Sequence, residues 1–309
     1  MKPSRLMTSQ ERVLPCSCLG SVYHQSVPSE VLAALESLLS GPFIPDQIVI
    51  VVDGPVGELL QDQLKRFSEV CHPLDIVLLS YNQGLGTALH AGLLRCRHDI
   101  VLRYDTDDIN DPSRPLLCFT VLESDPNLDI LGSWVSEFSP YSSILSSKCV
   151  KRVPLSSADI SRCMEFRNPL NHPSVAFRKS SILSIGSYEN VPFFEDYHLW
   201  LKARKAGLRI ANLPLVLVHM RRSSALGRRS GFSYLISELY FFRLATSAGL
   251  VAPYFVFPAF LRILSRILPS RLQSFQDVLP WRRRSTVSIR PDLVHKIAYG
   301  RGVTLPSSM

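Results

Sequence analysis

A chain of 309 residues, 46% hydrophobic and 19% charged, carries enough apolar content to bury a large core, which excludes an intrinsically disordered protein. Lys and Arg number 34 against 26 Asp and Glu, a net charge of +8 that favours anionic partners such as nucleotide phosphates or an acidic lipid surface. The seven cysteines include no C-x-x-C pair of the kind zinc sites use, and an odd count sits poorly with a closed disulfide framework, so a reducing, cytoplasmic setting is expected.

Residues 1–12 form an N-terminal arm without an apolar core of signal-peptide length. Residues 14–22 read as a first strand. Val31, Leu32, Leu35, Leu38 and Leu39 recur on one helical face, and Gly41-Pro42 stops that helix. Residues 48–52 (IVIVV) are an unbroken β-branched run, the pattern of a strand buried on both faces. That run ends at Asp53-Gly54-Pro55, where the chain must turn. A second amphipathic segment, 56–70, leads to a strand at 76–79, and Asn82-Gln83-Gly84-Leu85-Gly86 opens a helix ending near Arg97. A fourth short strand, 100–104, delivers Asp105-Thr106-Asp107-Asp108. Strands alternating with helices specify an α/β fold with a mostly parallel central sheet and helices on both faces.

Three carboxylates within four residues repel one another and raise each other's pKa unless a cation neutralises them, so the turn is a candidate seat for Mg²⁺ or Mn²⁺. The plainer reading is a solvated turn that caps the next helix, although Asp111-Pro112-Ser113 would serve as that cap. In open α/β sheets ligands collect beyond the carboxyl ends of the strands, so Asp53, the glycine loop and the acidic turn should converge on one crevice. Gly84-Leu85-Gly86 has the spacing of neither a dinucleotide fingerprint nor a P-loop, and Ile109-Asn110 rules out an EF-hand.

Further along, the serine-rich stretch between Trp134 and Val150 reads as a loop of the kind where specificity resides. Asn171-His172-Pro173-Ser174 reads as a turn entering a strand at 174–177. Glu195-Asp196 precede a helix over 197–206, where the helix dipole should keep a first-turn carboxylate ionised. On that helix Trp200 is expected to pack and His198 to lie at the surface. A strand at 215–219 is followed by Arg221, Arg222, Arg228 and Arg229, a basic group suited either to an anionic ligand or to a solvated loop. Residues 234–242 and 250–268 are densely apolar, but Pro253, Pro258, Arg262 and Arg266 make the second a poor membrane span. Two readings stay open there: an interfacial helix on an anionic membrane surface, and a helical extension packed on the sheet domain. Trp281-Arg282-Arg283-Arg284 begins a basic tail.

The stretches Ser21-Val22-Tyr23-His24, 48–55 (IVIVVDGP), 82–92 (NQGLGTALHAG), 103–109 (RYDTDDI), 171–178 (NHPSVAFR) and Glu195-Asp196-Tyr197 together resemble, in order and spacing, the inverting glycosyltransferases of family 2. The nearest likeness within that family is to enzymes of bacterial exopolysaccharide, capsule and O-antigen synthesis. The resemblance implies a GT-A nucleotide-diphospho-sugar transferase fold over residues 13–220, with a nucleotide-binding half at about 13–110 and an acceptor half at about 111–220. A helical, membrane-associated or packed extension at 221–280 and a basic tail at 281–309 would follow. It implies Asp53 on the nucleotide base, with Tyr23, Gly84 and Asp105 also contacting the nucleotide. It implies Asp105 and Asp107 as the D-x-D pair holding Mn²⁺ or Mg²⁺, and Asp196 beside Glu195 as general base. His172 and Asp108 would touch donor or acceptor.

The donor would be a nucleotide sugar, UDP-linked by analogy, and the acceptor a glycan carried on a lipid at the inner face of the plasma membrane. No nucleic acid partner is implied. Departures are Cys16-Ser17-Cys18 in the first strand and His24-Gln25 where relatives carry asparagine and a small or acidic residue. The alternatives are a non-catalytic sugar-nucleotide-binding protein of the same fold and a sugar-1-phosphate nucleotidyltransferase. The second lacks a glycine-rich basic loop after the first strand.

Overall fold

A computed structural model describes residues 12–70, 74–138, 149–221 and 232–251. The first four strands are β1 (Arg12–Val22), β2 (Phe43–Asp53), β3 (Leu74–Leu79) and β4 (Ile100–Arg103). The crossovers between them are α1 (Pro28–Leu38), α2 (Glu58–Val70) and α3 (Leu85–Arg95). They pair parallel in the order β3-β2-β1-β4.

Strand β2 shows why the sheet needs cover on both sides. Ile48, Ile50 and Val52 point into one core with Val31, Leu35 and Leu38 of α1 and Leu60 and Leu64 of α2. Val49 and Val51 point into the other, with Ala88, Leu89 and Leu93 of α3. Successive side chains of a strand alternate faces, so an uninterrupted apolar run can be satisfied only by two helical layers.

The remainder completes the same sheet: β5 (Ile109–Asn110), α4 (Arg114–Ser124), β6 (Ile130–Phe138), β7 (Cys149–Lys151), α5 (Ser157–Cys163), a 3₁₀ turn (His172–Ser174), β8 (Ala176–Arg178), α6 (Lys179–Ser184), α7 (Glu195–Lys205), β9 (Ile210–Arg221) and α8 (Phe232–Ser247). The order continues β4-β8-β6-β9-β5, with β7 paired to β6. Strand β8 is antiparallel to both β4 and β6, whereas β6 and β9 run parallel.

Three expectations need correction or narrowing. The serine-rich stretch is not a loop at its ends: Trp134 to Phe138 continue β6, and Cys149 begins β7, antiparallel to it. The strand tolerates its serines because they find partners: the Ser136 hydroxyl lies 2.6 Å from His219 Nδ1. His198 is buried rather than at the surface, its ring 4.0 Å from the Glu189 carboxylate, because α7 is enclosed nearly all round. Trp200 packs as expected. The aromatic segment 234–242 lies in α8, where Phe241 stacks on Phe194 at 4.8 Å and sits 5.1 Å from Tyr197, so this part of the extension packs on the sheet domain.

Among the described residues no helix is long and apolar enough to cross a membrane. Arg222, Arg228, Arg229, nearly all of 250–268 and the tail 281–309 lie outside the described residues.

Candidate active site

The register of the parallel strands brings the chemistry to one edge. Val22 of β1 pairs with Val52 of β2, and Leu19 with Arg103 of β4. The residues that follow these positions, Tyr23, Asp53 and the acidic turn 105–108, therefore emerge side by side at the carboxyl ends. Thr106 ties the turn down by donating its hydroxyl to the Ser21 carbonyl at 3.0 Å.

Within the turn, Asp105, Asp107 and Asp108 offer carboxylate oxygens all within 4.8 Å of one another. Burial, and next the charge of Asp105, pushes Asp107 up to about 6. Burial, followed by Asp105 and Asp107, raises Asp108 well above the usual carboxylate range. Hard oxygen donors crowded at this spacing, held against their own repulsion, fit Mg²⁺ or Mn²⁺.

Asp108 accepts from the Arg221 backbone N–H at 2.8 Å, while the helix-entry role falls to Asp111, which accepts from Ser113 N–H at 2.9 Å. Asp108 thus belongs to the acidic turn rather than to the start of α4. Arg221 itself is neither a solvated loop residue nor free to close over a ligand. Its guanidinium donates to the Asp107 carbonyl at 3.1 Å, pairs with Glu30 at 3.2 Å and lies over the Phe138 ring.

Asp53 is buried and spans the neighbouring loop: its two carboxylate oxygens accept from the N–H groups of Gln83 at 2.7 Å and Gly84 at 3.0 Å. Gly84 has φ of +90°, open to glycine without strain. A side chain at Gly86 would bring its Cβ within 2.1 Å of the Glu189 carbonyl oxygen, so the segment 187–194 packs on the glycine loop through Glu189 and Asn190. That segment holds Ser187 and Phe193 at positive φ and leads straight into Glu195. Tyr23 stands half-buried with its hydroxyl donating to Gln25 Oε1 at 3.1 Å.

At the start of α7, Asp196 is half-buried and accepts from Asn168 Nδ2 at 2.6 Å and from the Tyr197 N–H at 2.6 Å. Glu195 is buried, and desolvation, then the charge of Asp196, pushes its carboxyl up to about 8. This overturns, for Glu195, the expectation of an ionised first-turn carboxylate: burial outweighs the helix dipole. His172 is buried against Tyr188, Nε2 to hydroxyl 3.1 Å, and against Trp200. Burial, and next the charge of Arg103, drives the imidazole well below its usual range, so it is neutral.

Sequence reasoning passed over three residues that the structure brings into this cluster: Arg103, Tyr188 and Asn168. Arg103 is fully buried, pairs with Asp105 at 2.5 Å, and its charge is felt by Glu195, Tyr188 and His172. It pairs with the acidic turn and acts electrostatically on Glu195 of α7 as well. Its signal was present in the chain, as a guanidinium closing the strand IVLR, where burial demands a charged partner.

Residues 21–186 match the glycosyl transferase family 2 domain. The chain belongs to that family. The transferase is 38% identical over 84% of its length to the amylovoran biosynthesis glycosyltransferase AmsE of Erwinia amylovora, covering 96% of that relative. It is 35% identical, again over 84% of its length, to an Escherichia coli protein named UDP-Gal:alpha-D-GlcNAc-diphosphoundecaprenol beta-1,3-galactosyltransferase, covering 94% of it.

Among solved structures, S. aureus TarS 1-349 in complex with UDP-GlcNAc shares the fold at a TM-score of 0.53, with 17% identity, over 68% of this chain and 59% of that one. The mannosyltransferase PcManGT of Pyrobaculum calidifontis, in complex with GDP-Man and Mn²⁺, gives 0.50 over 85% and 79% at 17% identity. The fold is therefore GT-A, and the transferase is a glycosyltransferase; the nucleotidyltransferase and non-catalytic alternatives are set aside.

Proposed function

We propose that the transferase moves a sugar from a UDP-sugar to a hydroxyl of a growing lipid-linked glycan, inverting the anomeric centre, at the cytoplasmic face of a membrane. The observation that carries this reading is the acidic turn at the sheet edge facing, across Arg103, a half-buried carboxylate at the start of α7. The names of the two curated relatives supply the substrate class. Free thiols at Cys16, Cys18, Cys96, Cys118, Cys149 and Cys163 suit a reducing compartment.

In this reading Asp196 accepts the proton of the acceptor hydroxyl as the oxygen attacks the anomeric carbon. The bond from that carbon to the diphosphate oxygen breaks on the opposite face. Asp105, Asp107 and Asp108 would hold Mn²⁺ or Mg²⁺, whose positive charge stabilises the diphosphate as it leaves. Asp53 keeps the glycine loop in the shape that receives the base. Each of its oxygens retains a lone pair beyond the loop contacts, which lets it accept from a uracil N–H as well. Glu195, protonated near neutral pH, leaves Asp196 as the carboxylate of the pair that works as a base.

Thermal unfolding with UDP, GDP, dTDP and CMP, each with Mn²⁺ and with EDTA, tests the donor side. A rise in midpoint with UDP that requires the metal, and that Asp107→Asn abolishes, is expected, because only the native state binds. Equal shifts in EDTA would sink the metal assignment, and a shift with GDP alone would move the donor class.

A further inference from the structure

The carboxylate proposed as base is held from outside its own helix. Asn168 Nδ2 reaches Asp196 Oδ2 at 2.6 Å, while Asn168 Oδ1 accepts from the Leu170 N–H at 3.1 Å. The second contact settles which way the amide faces: its oxygen is used locally, so its NH₂ must point at Asp196.

The segment bearing Asn168 is itself fixed. Asn212 Nδ2 donates to the Pro169 carbonyl at 3.2 Å and to Pro154 at 2.6 Å, and Asn171 Nδ2 donates to the Ser133 carbonyl at 2.9 Å. Asn212 sits on β9 and Ser133 on β6. The amide is thereby anchored to the sheet, and Asp196 to the amide. On the far side Tyr197 donates its hydroxyl to the Met164 carbonyl at 2.7 Å, drawing the first turn of α7 onto the same segment.

We infer that Asn168 is a positioning residue for the transfer step: its amide on Oδ2, together with the Tyr197 N–H on Oδ1, locks the Asp196 carboxylate so that the remaining lone pair of Oδ1 is presented to the acceptor hydroxyl. This rests on the reading of Asp196 as general base. A neutral amide suits the role, because a lysine or arginine at the same distance would stabilise the carboxylate anion and weaken it as a base. The charge of Asp196 is felt by Glu195 on its own helix and by Tyr188 from the preceding loop, and Arg103 of β4 acts on both.

The test uses the full chain with ¹³C-carboxyl-labelled aspartate, in which the resonance lost in Asp196→Asn identifies Asp196. Asn168→Ala removes a donor to the charged form and is expected to move the titration midpoint of that resonance upward. Asn168→Asp keeps an acceptor for the Leu170 N–H, so the segment stays folded, and sets a like charge against Asp196. It should move the midpoint further, by about one unit or more.

In UDP release from UDP-hexoses supplied with polyprenyl-diphosphate-linked N-acetylglucosamine, both variants should lose about tenfold or more in kcat at unchanged donor KM. An Asp196 resonance that titrates identically in wild type, Asn168→Ala and Asn168→Asp would overturn the positioning role. Retained transfer in Asp196→Asn would instead bring down the base assignment, a separate and distinguishable failure.

Discussion

Glu195 shows how a single side chain can report on its surroundings. Its carboxyl is pushed from an ordinary 4.5 to about 8 by burial and by the neighbouring Asp196 charge, so the native state holds a proton that the unfolded chain gives up at lower pH. Its contribution to stability is therefore fully present below pH 4.5 and is lost as pH rises toward about 8. Glu195→Gln carries no such titration. The midpoint of thermal unfolding of the variant should gain on wild type steadily across that window, and a constant difference from pH 5 to 8 would contradict the assignment. Arg103 explains why the opposing carboxylates tolerate one another, since one buried guanidinium serves Asp105 directly and moderates Glu195 at longer range.

Between elements, the contact that links the nucleotide end to the base is the glycine loop against residues 187–194. Gly86 stands where a Cβ would meet the Glu189 carbonyl oxygen at 2.1 Å, backbone against a side chain that cannot bend away. Gly86→Ala is expected to cost about 2 kcal/mol through forced displacement, read as a lower urea midpoint. Because that displacement acts on the chain leading into Glu195 and Asp196, transfer should fall more than nucleotide binding does. Equal losses in both would place the damage in the loop alone. The other elements were legible to different degrees. Residues 48–52 announced β2 by composition, whereas β6 was masked by serines whose partners come from β9 and from the 3₁₀ turn at His172–Ser174, both distant in sequence.

At the scale of the molecule, one sheet separates two cores. Leu35 of α1 lies in one and Leu89 of α3 in the other, and both are essentially fully buried. Each leucine-to-alanine substitution should cost roughly 2 to 5 kcal/mol. Since the two sites share no packing partners across the sheet, the double variant should lose the sum to within about 0.5 kcal/mol in urea unfolding. A marked departure from additivity would show that the layers communicate through the sheet.

The local pattern of residues was sufficient for the alternation of strands and helices, the acidic turn and its hard-oxygen chemistry, and the family resemblance, because periodicity, β-branching and carboxylate spacing act over a few neighbouring residues. It could not reveal which groups the guanidinium of Arg103 would serve, the fixed amide of Asn168, the enclosure of His198 or the immobilised Arg221. The amide of Asn168 and the guanidinium of Arg221 depend on partners 28 and 114 positions away, Asp196 and Asp107. Only closing the chain into one sheet brings such groups within hydrogen-bonding distance, and burial then decides their charge.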